Sequence, residues 1–69
     1  MKISARNVLS GKVISIVRGP VSTEVTLEIA PGVQVVSTIT SNSADSLKLV
    51  EGQTAYAVIK ASSVMVGTD

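Results

Sequence analysis

The strongest constraint on this chain is its supply of β-branched side chains. Twelve Val, six Ile and six Thr make up 24 of the 69 residues, against only four Leu. Such side chains lose rotamer freedom in helices and pack well on a pleated surface, so the bias favours strands. Hydrophobic residues reach 45%, too many for a disordered segment. A chain near 60 residues hides only about 60% of its unfolded surface and is marginal alone. Small folds offset this with disulfides, a metal or partner subunits. Having no Cys and no His, this chain has no disulfide framework, no Cys/His zinc site and no Ser-His or Cys-His pair. Oligomerisation is the staple that remains, around one domain over residues 1–69.

Periodicity places the strands. Met1 to Arg18 reads as one long extended stretch, with Ser10-Gly11 predicted to mark a bend or bulge inside it. Gly19-Pro20 is a turn signal. Val21, Thr23, Val25, Leu27 and Ile29 then alternate with Ser22, Glu24, Thr26 and Glu28, the pattern of a strand with one wet face. Ala30-Pro31-Gly32-Val33 has Pro and Gly where a type II turn needs them, so Val33 to Thr40 returns as the second arm of a hairpin. Four consecutive capping residues, Thr40-Ser41-Asn42-Ser43, predict a short helix between about 41 and 48. Thr54 to Lys60 is predicted as a fourth strand and Ser62 to Gly67 as a fifth. The expected fold is all-β, a five-stranded OB-like barrel with one short helix between strands 3 and 4.

Composition removes most function classes. Six Lys/Arg and five Asp/Glu leave a formal charge of +1, too balanced for binding nucleic acid or a membrane surface by bulk charge. Tyr56 is the one aromatic, where a single-stranded nucleic-acid groove wants several stacking platforms. Apolar runs are too short to span a membrane, and Met1-Lys2-Ile3-Ser4 leads into no signal-peptide core. The carboxylates are not clustered for Mg²⁺ or Ca²⁺. No glycine pattern for a phosphate loop occurs. No His can activate any of the ten serines. The chain is expected to be no enzyme.

What remains is short neutral hydrogen-bond donors beside a few cations. Ser4-Ala5-Arg6-Asn7, Thr40-Ser41-Asn42-Ser43 and Lys60-Ala61-Ser62-Ser63 are the three clusters. Hydroxyls and backbone amides next to a Lys or Arg suit a tetrahedral oxyanion, which needs many donors and limited positive charge. The same residues also suit caps and turns, with Arg6 on the surface. On spacing alone, a ligand-free structural β-module and, less favoured, an OB-fold nucleic-acid binder stay open.

The clusters, with their neighbours, carry a family resemblance. Ser4-Ala5-Arg6-Asn7 is followed by Gly11-Lys12-Val13 and by Gly19-x-Val21-x-x-Glu24-Val25. Ile39-Thr40-x-x-Ser43 with Leu47-x-Leu49-x-x-Gly52 continues the pattern, and Ile59-Lys60-Ala61-Ser62-x-Val64 closes it. In this order and spacing, over nearly the whole chain, the sequence resembles the molbindins, small cytoplasmic molybdate- and tungstate-binding proteins built from a single Mop domain. In relatives that domain is fused to DNA-binding regulators or transporter ATPases, but neither kind of motif occurs in these residues, so the free-standing form is expected.

The resemblance implies a cytoplasmic storage or homeostasis protein that assembles as a hexamer, a trimer of dimers, with oxyanions at subunit interfaces. Arg6 would supply charge, and Ser4, Ala5 and Asn7 side-chain or backbone donors. Thr40 and Ser43 would add hydroxyls, and the helix start amides. Lys60, Ala61 and Ser62 would complete the site from a neighbouring subunit. A second oxyanion site is expected at Gly19, Val21 and Ser22, where Pro20 has no N–H to offer. No cofactor is implied. The ligand is molybdate or tungstate, held by hydrogen bonds with no protein–metal ligation, and no nucleic-acid or membrane partner is implied.

Overall fold

The alternation in residues 21–29 forms a strand, β2 (Ser22–Ala30), and a computed structural model describes it with all 69 residues of the chain. It turns through Pro31-Gly32 into β3 (Val33–Thr40), pairing antiparallel from Ser22 opposite Thr40 to Ala30 opposite Val33. Gly32 has φ +74°, the left-handed conformation that the third position of a type II turn requires. The two-faced reading of β2 needs one correction, because Thr26 is buried along with Thr23, Val25 and Leu27. Both faces of β2 are therefore covered at its centre.

β1 (Asn7–Arg18) organises the sheet. Its first half pairs antiparallel with β4 (Thr54–Ile59), from Asn7 opposite Ile59 to Lys12 opposite Thr54. Its second half pairs antiparallel with β2, ending with Arg18 opposite Thr23. The strand order is β3-β2-β1-β4. The predicted irregularity at Ser10-Gly11 lies three residues later, where the register shifts between Val13 and Ser15. Gly11 serves close approach instead. A Cβ there would lie 3.0 Å from both the Glu28 carbonyl oxygen and Ile29 Cγ2, so a side chain would push β2 off β1. The first six residues precede β1 and are not part of it.

Helix α1 (Ser41–Ser46) is capped by Thr40, whose Oγ1 accepts from the Ser43 N–H at 3.0 Å. It ends two residues short of the expected limit, and Lys48 takes φ +52° as the chain turns. The connector then docks on β1: Val13 N–H donates to the Gln53 carbonyl and Val13 C=O accepts from Gly52 N–H. Val13, Val25, Leu27 and Ala57 form the core, with Ile16, Ile29, Val35, Ile39, Leu49 and Ala55 packed around it.

The expected fifth strand does not form. Lys60 leads into a short 3₁₀ turn, Ala61–Ser63, closed by Ser63 N–H to Lys60 O, and Val64–Asp69 pairs with nothing. Alternating Val64 and Val66 meet the local requirement for a strand, but a strand also needs an edge in register, and this turn does not return the tail to β4. The fold is thus a four-stranded all-β sheet with one short helix. Residues of β3 and β4, the two edge strands, line one common groove, so the sheet is curled.

Candidate functional site

β1 acts as a ruler for the donor clusters. Because Asn7 lies opposite Ile59, the residues just before β1 and just after β4 emerge at the same end of the sheet. Ser4-Ala5-Arg6-Asn7 and Lys60-Ala61-Ser62 are therefore neighbours within one chain. Asn7 Nδ2 fastens them, donating to the Ile59 carbonyl at 3.3 Å. Arg6 and Lys60 are exposed there, and the chain's one ion pair joins two other residues. Their charge has no carboxylate partner.

The other end of β1 gathers the remaining candidates. Arg18 opposite Thr23 and Ser22 opposite Thr40 bring the turn Gly19–Ser22 beneath Thr40–Ser43. Ser41 Oγ donates to the Gly19 carbonyl at 2.6 Å, so the buried Thr23 hydroxyl, 2.8 Å away, is the donor to Ser41 Oγ. Ser41 N–H donates to the Val21 carbonyl, and Gly19 N–H to the Ser22 carbonyl. Gly19, Val21 and Ser22 thus all have their carbonyls turned into bonds within the chain. Gly19 N–H is also engaged, whereas the N–H of Val21, a residue 74% exposed, bonds to no group of the chain. Gly19 must be glycine, since a Cβ would lie 2.6 Å from the Ser22 carbonyl oxygen.

The two candidate hydroxyls differ. Thr40 accepts from Ser43 N–H and donates to Ser43 Oγ at 2.7 Å, so both its roles serve the cap. Ser43 accepts from Thr40 and keeps its own O–H free. Nearby, Asp45 is the one carboxylate on α1, and Arg18 at the end of β1 pairs with it. That pair lessens the negative field beside the free donors of Val21 and Ser43. No group of acidic or imidazole side chains could ligate a metal directly.

The sequence reading missed Thr23 and the Arg18–Asp45 pair, and it placed Ser41 in a donor cluster without its bonds to Thr23 and Gly19. A signal for the first existed: Thr23 falls on the apolar rows of β2, and a buried hydroxyl needs a partner. Arg18 and Asp45 are 27 residues apart, and no local pattern links them.

Two incomplete sets of donors thus stand at opposite ends of a twelve-residue strand, roughly 35 Å apart along its path. The TOBE domain model matches residues 3–66. This chain belongs to the TOBE-domain family, among the molbindins. This TOBE-domain chain is 49% identical to a probable molybdenum-pterin-binding protein of Haemophilus influenzae, over the full length of both. Its fold matches MopII from Clostridium pasteurianum in an apo form, with a TM-score of 0.91, 43% identity and coverage of 97% of this chain and 100% of that one. It is also similar to ModG, a cytoplasmic molybdate-binding protein solved with molybdate bound, at a TM-score of 0.83 and 43% identity. There the TOBE-domain chain is covered over 88% of its length and spans 43% of ModG.

Proposed function

We propose that this chain binds molybdate or tungstate as intact tetrahedral dianions in the cytoplasm, storing or buffering them without catalysis. The observation that carries the reading is the sorting of donors to the two ends of β1. Arg6, Ser4, Ala5 and Asn7 share one end with Lys60, Ala61 and Ser62, and Thr40 and Ser43 lie at the other. A site that uses all three clusters therefore draws the free Ser43 O–H, held in place by Thr40, from a second subunit, and a hexamer built as a trimer of dimers repeats that junction. Gly19, Val21 and Ser22 form the second site, with Val21 N–H as its free amide.

The chemistry is hydrogen bonding to oxygen. Arg6 and Lys60 offset the cost of taking a dianion out of water, and hydroxyls and amides direct the four oxygens. A donor-only cavity sized for long metal–oxygen bonds disfavours sulfate by size. It disfavours protonated phosphate because the extra proton finds no acceptor. Molybdate and tungstate match in charge and nearly in size, so the same donors accept both. Calorimetric titration with molybdate, tungstate and sulfate at equal ionic strength tests the reading. Tight binding of the first two with weak sulfate binding is expected, and equal affinity for all three would refute it.

A further inference from the structure

The turn that carries the free Val21 amide is held from outside by one buried residue. Ser41 is only 8% exposed and donates into the turn twice. Its Oγ bonds to the Gly19 carbonyl at 2.6 Å and its N–H to the Val21 carbonyl at 2.7 Å. Those carbonyls belong to the peptide planes on either side of the Pro20–Val21 plane, which carries the free N–H. Thr23, fully buried, donates to Ser41 Oγ at 2.8 Å and so fixes the direction of the Ser41 hydroxyl. Gly19 N–H closes the turn on the Ser22 carbonyl at 2.9 Å.

Local stereochemistry removes most of the freedom that is left. With both neighbouring planes held, a peptide unit can still swing by opposed rotation about ψ of Pro20 and φ of Val21. A full swing carries Val21 to positive φ, which β-branched residues rarely adopt, and Val21 is not among the positive-φ residues. The Pro20 ring fixes its own φ as well. The free amide therefore has a set position and direction before any anion arrives. Hydrogen bonds weaken as they lengthen, so a fixed donor spaced for long metal–oxygen bonds cannot close on the shorter bonds of sulfate. Arg6 and Lys60 attract either dianion through the same charge and supply no such size test. We propose that Ser41 is a positioning residue for anion selectivity: by holding the Gly19 and Val21 carbonyls, it stops the Val21 amide from following a smaller anion inward. That role rests on the proposed anion site at Gly19, Val21 and Ser22.

The test follows the Val21 amide resonance of the full chain by NMR while molybdate or sulfate is added at equal ionic strength. In the parent chain the resonance should shift at low molybdate and only at much higher sulfate. In Ser41→Ala the ratio of the two affinities should fall by about tenfold, the size of one hydrogen bond to a charged group. The fall should come chiefly from tighter sulfate binding, a gain that mere damage to the fold does not produce. An unchanged ratio in a folded variant, including one in which both anions weaken together, would overturn the role of Ser41. Should Ser41→Ala not fold, Thr23→Val decides the matter. It removes the bond that orients the Ser41 hydroxyl but leaves Ser41 in place, so a smaller fall in the same direction is expected and an unchanged ratio overturns the proposal. A parent Val21 amide that stays still at saturating molybdate would also overturn it, while calorimetric binding of molybdate by that sample leaves the proposed function standing. Equal binding of both anions by the parent chain would instead sink the proposed function, and the role of Ser41 with it.

Discussion

At the β1–β2 turn, Thr23, Ser41 and Thr40 have their hydroxyls engaged, and the carbonyls of Gly19, Val21 and Ser22 are tied into the chain. At the other end of β1 a single side-chain bond, from Asn7 to Ile59, holds the clusters together, and Arg6 and Lys60 face water without a counter-charge. The first end is neutral and pre-organised, and the second is charged and loosely held. The comparison separates two ways of contributing to an anion site. Fixed dipoles act with little ordering cost, whereas long cationic side chains give more Coulomb energy but lose rotamer freedom on binding.

Five substitutions break or sharpen this contrast. The largest effect on affinity is expected at the charged end. Arg6→Ala and Lys60→Ala each remove a hydrogen bond to a dianion, worth roughly 1.5–3 kcal/mol, or about tenfold to a hundredfold in affinity. Isothermal titration in moderate salt should retain that loss, while Lys12→Ala and Lys48→Ala change little. Equal, small, salt-sensitive losses at all four positions would mean that the anion is merely attracted to the surface. Assembly is checked alongside by sedimentation, because a dissociated hexamer would mimic a lost ligand. Folding stability of the Arg6 and Lys60 variants should stay within about 0.5 kcal/mol of the parent chain, as for other surface changes.

Ser41→Ala should do the reverse. It leaves the Gly19 carbonyl and the Thr23 hydroxyl without their partner, at a cost of about 1–3 kcal/mol in urea unfolding. A stability unchanged by this variant would show that the hydroxyl chain does not hold the turn. Thr40→Ala comes next, with loss of the cap costing about 1 kcal/mol. Hydrogen exchange should report it at the Ser43 amide, which loses its acceptor. The smallest stability effect is expected for Arg18→Ala. Its ion pair joins side chains 50% and 62% exposed, so removal costs below about 1 kcal/mol and salt erases it. Affinity should nevertheless drop, because the Asp45 charge is then unopposed near the donors. Adding Asp45→Asn should restore it, and failure to restore it would remove Arg18 from the account of the site.

Several features were legible locally. The rows of β2, the Pro31-Gly32 turn and the Thr40 cap depend on residues within a few positions of one another, and each was read within a residue or two. Gly11 was recognised as special for the wrong reason. Its need arises from Glu28 and Ile29, seventeen and eighteen positions away, which no window around Gly11 contains.

By itself, then, the sequence determined the strand-rich composition, the hairpin, the short capped helix and a donor chemistry without Cys or His. These follow from side-chain shape, turn stereochemistry and functional-group inventory, which need no partner. Only the tertiary structure decided that Val64–Val66 stays out of the sheet and that Lys60–Ser62 sits beside Ser4–Asn7. It alone placed Thr40 and Ser43 over the Gly19–Ser22 turn, at the far end of β1. The physical reason is register. Strand pairing joins residues as distant as Asn7 and Ile59, and long-range pairing is chosen by competition among all available edges.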